Sequence, residues 1–121
     1  MGWVIRLCGP MSVERDGRAL GVALPGRQGR LLFAYLLLNR DRDCGRPELI
    51  DLLWPEQPPA AADTALSALL SKLRKALGDG ALAGRSELRF IPGADIEVDL
   101  ELAARAAARA DALNPLAARE R

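Results

Sequence analysis

At 121 residues the chain is long enough for one compact domain and a short extension, and too short for two full domains. Half of the residues are apolar and 27% are charged, the balance of a globular chain, and the longest apolar run, residues 31–38, falls far short of the roughly 20 residues that a bilayer span needs. There is no histidine, so the commonest general base and metal ligand is missing; 17 basic against 16 acidic residues leave a net charge of +1, and any nucleic-acid reading must rest on where the charges sit.

The opening MGWVIRLCGP has one arginine, a short apolar run and no small-residue cleavage pattern, so no secretory signal is expected and the cytoplasm is the expected compartment. Cys8 and Cys44 have neither zinc-site nor CxxC spacing, and both are read as reduced packing residues. WVIRLCG and MSVERDG alternate apolar and polar residues and close on Gly9-Pro10 and Asp16-Gly17 turns, which predicts two antiparallel strands. RALGVAL extends them more weakly up to Pro25-Gly26, for a meander of three or four strands with Trp3, Ile5, Leu7 and Val13 facing the helices.

Residues 27–39 form a first helix that should be buried on most sides, because its second half has almost no polar face. A polar loop, NRDRDCG, leads to a second helix, RPELIDLLW, with Gly45 as N-cap, Pro47 in the first turn and Glu48 at the positive end of the helix dipole. Pro55 stops it, and the proline-rich PEQPPAAAD is expected to be a constrained connection up to a cap near Asp63. The third helix then runs to Leu77 and ends at Gly78. ALAGRSELRFIPG reads as a hairpin around Gly84-Arg85-Ser86-Glu87, with Arg85 and Arg89 on or beside its tip. ADIEVDLELAARAAARADALN starts extended and becomes an alanine-rich helix, with Leu100, Ala103, Ala107 and Ala110 along one side and Glu101 set to pair with Arg105. Asn114-Pro115 ends it before a frayed tail.

On the third helix, Leu66, Leu69, Leu70, Leu73 and Leu77 fall in one sector, and Thr64, Ala68, Ser71 and Lys75 in the opposite one, with Ser67 and Lys72 on its shoulders. A solvated face would look much the same, except that such faces usually carry glutamate as well as lysine. From Thr64 to Leu77 there is no acidic residue. Short polar side chains with basic rims suit a major groove, because the backbone can approach base edges while lysines reach phosphates. The order of helices, with a hairpin following the last, is that of a helix-turn-helix with a wing.

RPELIDLLW, the PPA connection and LSKLRKALG, with IRLCGPMSVERDGRAL before them, resemble the OmpR-type winged-helix DNA-binding domain found at the N-terminus of Streptomyces antibiotic regulatory protein (SARP) family activators. The resemblance covers about residues 3–100. It implies an α+β winged helix-turn-helix over 1–99, with an N-terminal antiparallel sheet, three helices and a C-terminal β-hairpin wing, followed by a helical extension over 100–121. That extension is either the start of an activation domain or a helix that packs on the winged helix or joins two copies. The resemblance implies sequence-specific binding of double-stranded DNA in bacterial transcription control, with Thr64, Ser67, Ala68, Ser71, Lys72 and Lys75 facing DNA and Arg85 and Arg89 near the minor groove. Trp54 stands where family members place a phosphate-contacting aromatic, and is equally suited to anchoring the core. The connection from Trp54 to Ala62 stands where the family touches DNA backbone or RNA polymerase, and head-to-tail copies on direct repeats are implied. The family's glycine-tyrosine-arginine sequence in the second wing strand is replaced by Glu87-Leu88-Arg89, which weakens the expected wing contact.

A winged helix turned protein-interaction module is the alternative, favoured by the near-neutral charge and Glu87. Catalysis is not expected: PGRQGR lacks the ending of a phosphate-binding loop and the third glycine of a dinucleotide fingerprint, and no carboxylates are paired. No cofactor, metal or membrane partner is expected either.

Overall fold

A computed structural model describes residues 2–20, 26–78 and 80–113. The expected breaker at Pro25 and helix end at Asn114-Pro115 lie outside them, as do the side chains of Ala103, Arg105 and Ala110.

In chain order the elements are β1 (Trp3–Arg6), β2 (Ser12–Arg15), β3 (Arg18–Ala19), α1 (Gly26–Leu38), β4 (Cys44–Gly45), α2 (Arg46–Leu53), α3 (Pro59–Leu77), β5 (Leu82–Ala83), β6 (Glu87–Phe90), β7 (Ile96–Val98) and α4 (Asp99–Leu113). This is an α+β arrangement compatible with a winged helix. β1, β2 and β3 form the expected antiparallel meander; Asp16 and Gly17 make its turn with φ of 53° and 80°, the left-handed pair that a tight hairpin requires. The N-terminal sheet is not purely antiparallel, however. β7 returns from the far end of the chain to pair with β1 in parallel, giving the order β3-β2-β1-β7. Asp99 fixes this return, since its carboxylate accepts the Leu7 N–H at 2.7 Å and the Cys8 N–H at 3.1 Å. Those backbone donors hold the Asp99 carboxyl below its ordinary range.

The core lies between this sheet and the helices. Trp3, Ile5 and Val13 project from the sheet onto Leu32, Phe33, Leu36 and Leu37 of α1, with Leu7 partly buried at the edge. Phe90 of β6 sits edge-on between Trp3 and Phe33, with ring centroids 5.1 and 5.2 Å apart, so the second wing strand is rooted in the centre of the molecule. α1 is less enclosed than its composition predicts, for Leu31 and Leu38 are 42% and 46% exposed. Cys8 is exposed just past β1 and so is not a packing residue, whereas Cys44 is fully buried; both are free thiols.

α1 and α2 are locked together by a polar cluster. Glu48 accepts hydrogen bonds from Tyr35 and from both terminal nitrogens of Arg42, and the Gly45 N–H reaches its Oε1 at 3.3 Å, half of a capping box. Arg42, then the Tyr35 hydroxyl, hold the Glu48 carboxyl down at about 2. At the other end of the chain, Glu101 takes a two-pronged ion pair from Arg40 at 2.7 Å, which ties the first turn of α4 to the end of α1. Leu100 and Ala107 on the expected α4 stripe are exposed.

α3 begins four residues before the expected cap. Pro58 is the N-cap and Pro59 the first helical residue, where a missing N–H costs nothing, and Ala60 to Ala62 are strong helix formers that carry the helix through the expected connection. Asp63 is therefore not a cap. It lies one turn inside α3 and receives the Arg46 guanidinium at 2.8 Å.

Candidate nucleic-acid interface

α3 is held against the core by Ala62, Leu66, Leu70, Leu73, Ala76 and Leu77, with Leu69 half-buried. Burial of that stripe forces the opposite side outward, and Thr64, Ser67, Ala68, Ser71, Lys72 and Lys75 are all exposed on it. Thr64 turns its hydroxyl back onto the Ala60 carbonyl at 3.1 Å, which presents its methyl group rather than a donor. The acid nearest this face, Asp63, is neutralised by Arg46.

The wing approaches one flank of the helix. β5 and β6 pair in the register Leu82↔Phe90 and Ala83↔Arg89, while β4, from the loop before α2, pairs with the other side of β6. Position 84 in the turn must be glycine, because φ is +96° and a Cβ there would lie 1.7 Å from the Glu87 carbonyl oxygen. Arg74 donates to the Gly84 carbonyl and so pins the wing to α3.

Arg46 completes the junction. From the start of α2 it reaches Asp63, the Asp63 carbonyl at 2.9 Å and the Ser67 hydroxyl at 2.8 Å, with its third nitrogen 3.5 Å from the Arg85 carbonyl. Arg46, Arg74 and Arg85 together with Ser67 and Leu70 line a cleft of about 230 Å³ between α3 and the wing turn. Three guanidinium groups border this cleft: Arg46 is paired with Asp63, while Arg74 and Arg85, which make no ion pair among the described residues, offer the rigid forks of donors that match phosphate oxygens.

Of the expected site residues, the structure brings the six of α3 onto one face and places Arg85 beside it in the exposed wing turn. Arg89 is directed elsewhere: its guanidinium donates to the Asp41 carbonyl and lies 4.0 Å from the Asp43 carboxylate, away from the wing tip. Glu87 is exposed and makes no ion pair among the described residues with either arginine. Trp54 is half-buried against the core at the C-terminal end of α2, where its backbone N–H bonds the Ile50 carbonyl at 2.8 Å. Sequence reasoning placed neither Arg46 nor Arg74 at the site. Their importance comes from convergence of three distant segments, and the only linear signal was that Arg46 opens a helix beside the Gly45 cap.

No protein-family model matches the chain. The regulatory protein AfsR of Streptomyces coelicolor is 44% identical over 78 residues, covering 64% of this chain, and the AfsR of Streptomyces griseus is 36% identical over 103 residues, covering 85%. The transcriptional regulatory protein EmbR of Mycobacterium tuberculosis is 35% identical over 86 residues. A solved structure of M. tuberculosis EmbR, in complex with a low-affinity phosphopeptide, superposes on 73% of this chain with a TM-score of 0.60 and 32% identity. Its homologues are SARP-family regulators.

The matched segment is only part of those proteins. The chain spans 8% of the S. coelicolor AfsR, 22% of EmbR and 24% of the EmbR chain in the solved structure. Among the described residues no helix is long and apolar enough to cross a membrane.

Proposed function

We propose that this SARP-type chain is a sequence-reading segment of a transcription regulator, non-catalytic, with α3 entering the major groove of double-stranded DNA and the wing turn at Arg85 lying on the flanking backbone near the minor groove. The observation that carries this reading is the exposed, acid-free face of α3 bordered by the Arg46–Arg74–Arg85 cleft. Ser67, Ala68 and Ser71 are short enough for base edges to come close, while Lys72, Lys75, Arg74 and Arg85 neutralise phosphates; Arg46, paired with Asp63, braces the junction. Arg89 is left out, because its guanidinium is turned to the Asp41 carbonyl, away from the wing tip. Trp54 and the exposed turn after it lie at the edge of α3, where backbone or RNA polymerase would be met, and two copies would bind head to tail on direct repeats.

Fluorescence anisotropy of labelled duplex DNA at rising salt tests the reading. With about four to five phosphate contacts, log affinity should fall against log salt with a slope of about −4, and Lys72→Glu should flatten the slope and lower affinity at low salt. Binding that ignores salt in both proteins would refute it. A second reading, a protein-interaction module, draws on Ile91, Leu100 and Leu102, which are 41–49% exposed; contacts dominated by apolar burial would barely respond to salt.

A further inference from the structure

A second basic cleft, of about 400 Å³, lies at the C-terminal end of α3 where the β2–β3 hairpin meets it, and no expected DNA contact except Lys75 belongs to it. Its charged lining comes from Arg15, Arg18 and Lys75, with Asp16 as the one acid among the lining residues. Arg15 is built into place: its Nη1 donates to the Leu77 carbonyl at 2.9 Å, a helix-end acceptor, and its guanidinium stacks 4.9 Å over the Trp3 ring. Gly78 permits this approach, for a Cβ at that position would stand 2.8 Å from Arg15 Nη1. Arg18 and Lys75 are exposed at the cleft mouth.

The two clefts sit on opposite flanks of the face that is proposed to meet DNA. Successive helix residues are about 100° apart, so Arg74 in the wing-side cleft, Lys75 on the outer face and Ala76 in the hairpin-side cleft step around the helix across that face. A helix lying in the major groove presents its two flanks to the two strands that wall it, so clefts on opposite flanks of α3 would each face one strand.

We propose that the Arg15–Arg18–Lys75 cleft seats a backbone phosphate on the DNA strand opposite the one held by Arg74 and Arg85, so that the β2–β3 hairpin acts as a second clamp. This rests on the reading of α3 as the groove-binding helix. Asp16 sets the orientation of the clamp, since a phosphate must enter from the Arg18 and Lys75 side to avoid it.

The test combines salt-dependent binding with phosphate-ethylation interference on a bound duplex, using the full chain and the variants Arg18→Ala, Arg85→Ala and Lys72→Glu. Arg18 is exposed on a two-residue edge strand, and the thermal midpoint of its variant checks that the fold persists. Expected for Arg18→Ala is a several-fold loss of affinity, a salt slope shallower by about 0.9, and loss of interference at a phosphate on the strand opposite the one affected by Arg85→Ala. An Arg18→Ala protein that matches the parent in affinity, slope and interference pattern, while Lys72→Glu loses binding, overturns the clamp and leaves the role of α3 intact. Absence of salt-dependent binding in the parent protein overturns both.

Discussion

Replacing Gly84 by alanine should uncouple the wing from α3 while leaving the rest of the molecule folded. At φ +96° an L-residue is strained by about 1–2 kcal/mol, and the added Cβ would sit 1.7 Å from the Glu87 carbonyl oxygen, whereas ordinary contacts begin at 3.4 Å. The turn cannot absorb that overlap, so the end of the two-pair β5–β6 ladder must open, with the loss of one or two backbone hydrogen bonds worth about 0.5–1.5 kcal/mol each. Together these come to about 1.5–5 kcal/mol, which for a domain of this size lowers the thermal midpoint by on the order of 10 °C. Because Leu88 and Phe90 stay rooted in the core, the damage should be concentrated in residues 82–89. Calorimetry gives the midpoint, and amide exchange should show lost protection there, together with weaker DNA binding as Arg74 and Arg85 lose their shared geometry. An unchanged midpoint with the hairpin amides still protected would refute the steric reasoning.

Acid should expose the role of Glu48. Its folded-state value of about 2 lies below the ordinary 4.5, so its stabilising contribution is complete above about pH 4.5 and is lost as pH falls from there towards 2. The thermal midpoint of the parent should drop over that window, and Glu48→Gln, already lower at pH 7, should converge with it; parallel curves would contradict the assignment. The two thiols should separate by burial. Cys8 is exposed, with its thiol pushed up first by desolvation and then by Asp99, and Cys44 is fully buried. A thiol reagent at mildly alkaline pH should therefore modify one cysteine in the native protein and the second only in denaturant; equal native rates would show that the strand β4 opens readily.

Much of the fold was legible from periodicity and punctuation. The alternation in residues 3–15, the Asp16-Gly17 turn, the leucine stripe of α3 and the Gly84 turn each carry a local physical signature, and the elements form where those signatures lie. What could not be read depends on pairing between distant segments. Nothing local in Ile96–Val98 specifies a parallel partner at Trp3, and Cys44-Gly45 is too short to show any period, yet it completes the wing sheet. The start of α3 was placed late because proline was weighed as a breaker, when at the first helical position it is benign. For the site, the outer face of α3 follows from the position of its leucines. Arg46 was invisible because its partners, Asp63, Ser67 and Arg85, are 17 to 39 residues away. The turn of Arg89 towards the Asp41 carbonyl was hidden for the same reason, since it arises only once β4 lies beside β6.

Whether α3 reads bases is tested most directly by selecting bound duplexes from a random-sequence library with the parent chain and with Ala68→Gln, which places a longer hydrogen-bonding side chain at the middle of the exposed face. The parent should enrich one short motif, repeated in tandem, and the variant should enrich a motif altered at one or two positions within each repeat. No enrichment by the parent, or the same motif from both proteins, would contradict the assignment of α3 as the reading helix.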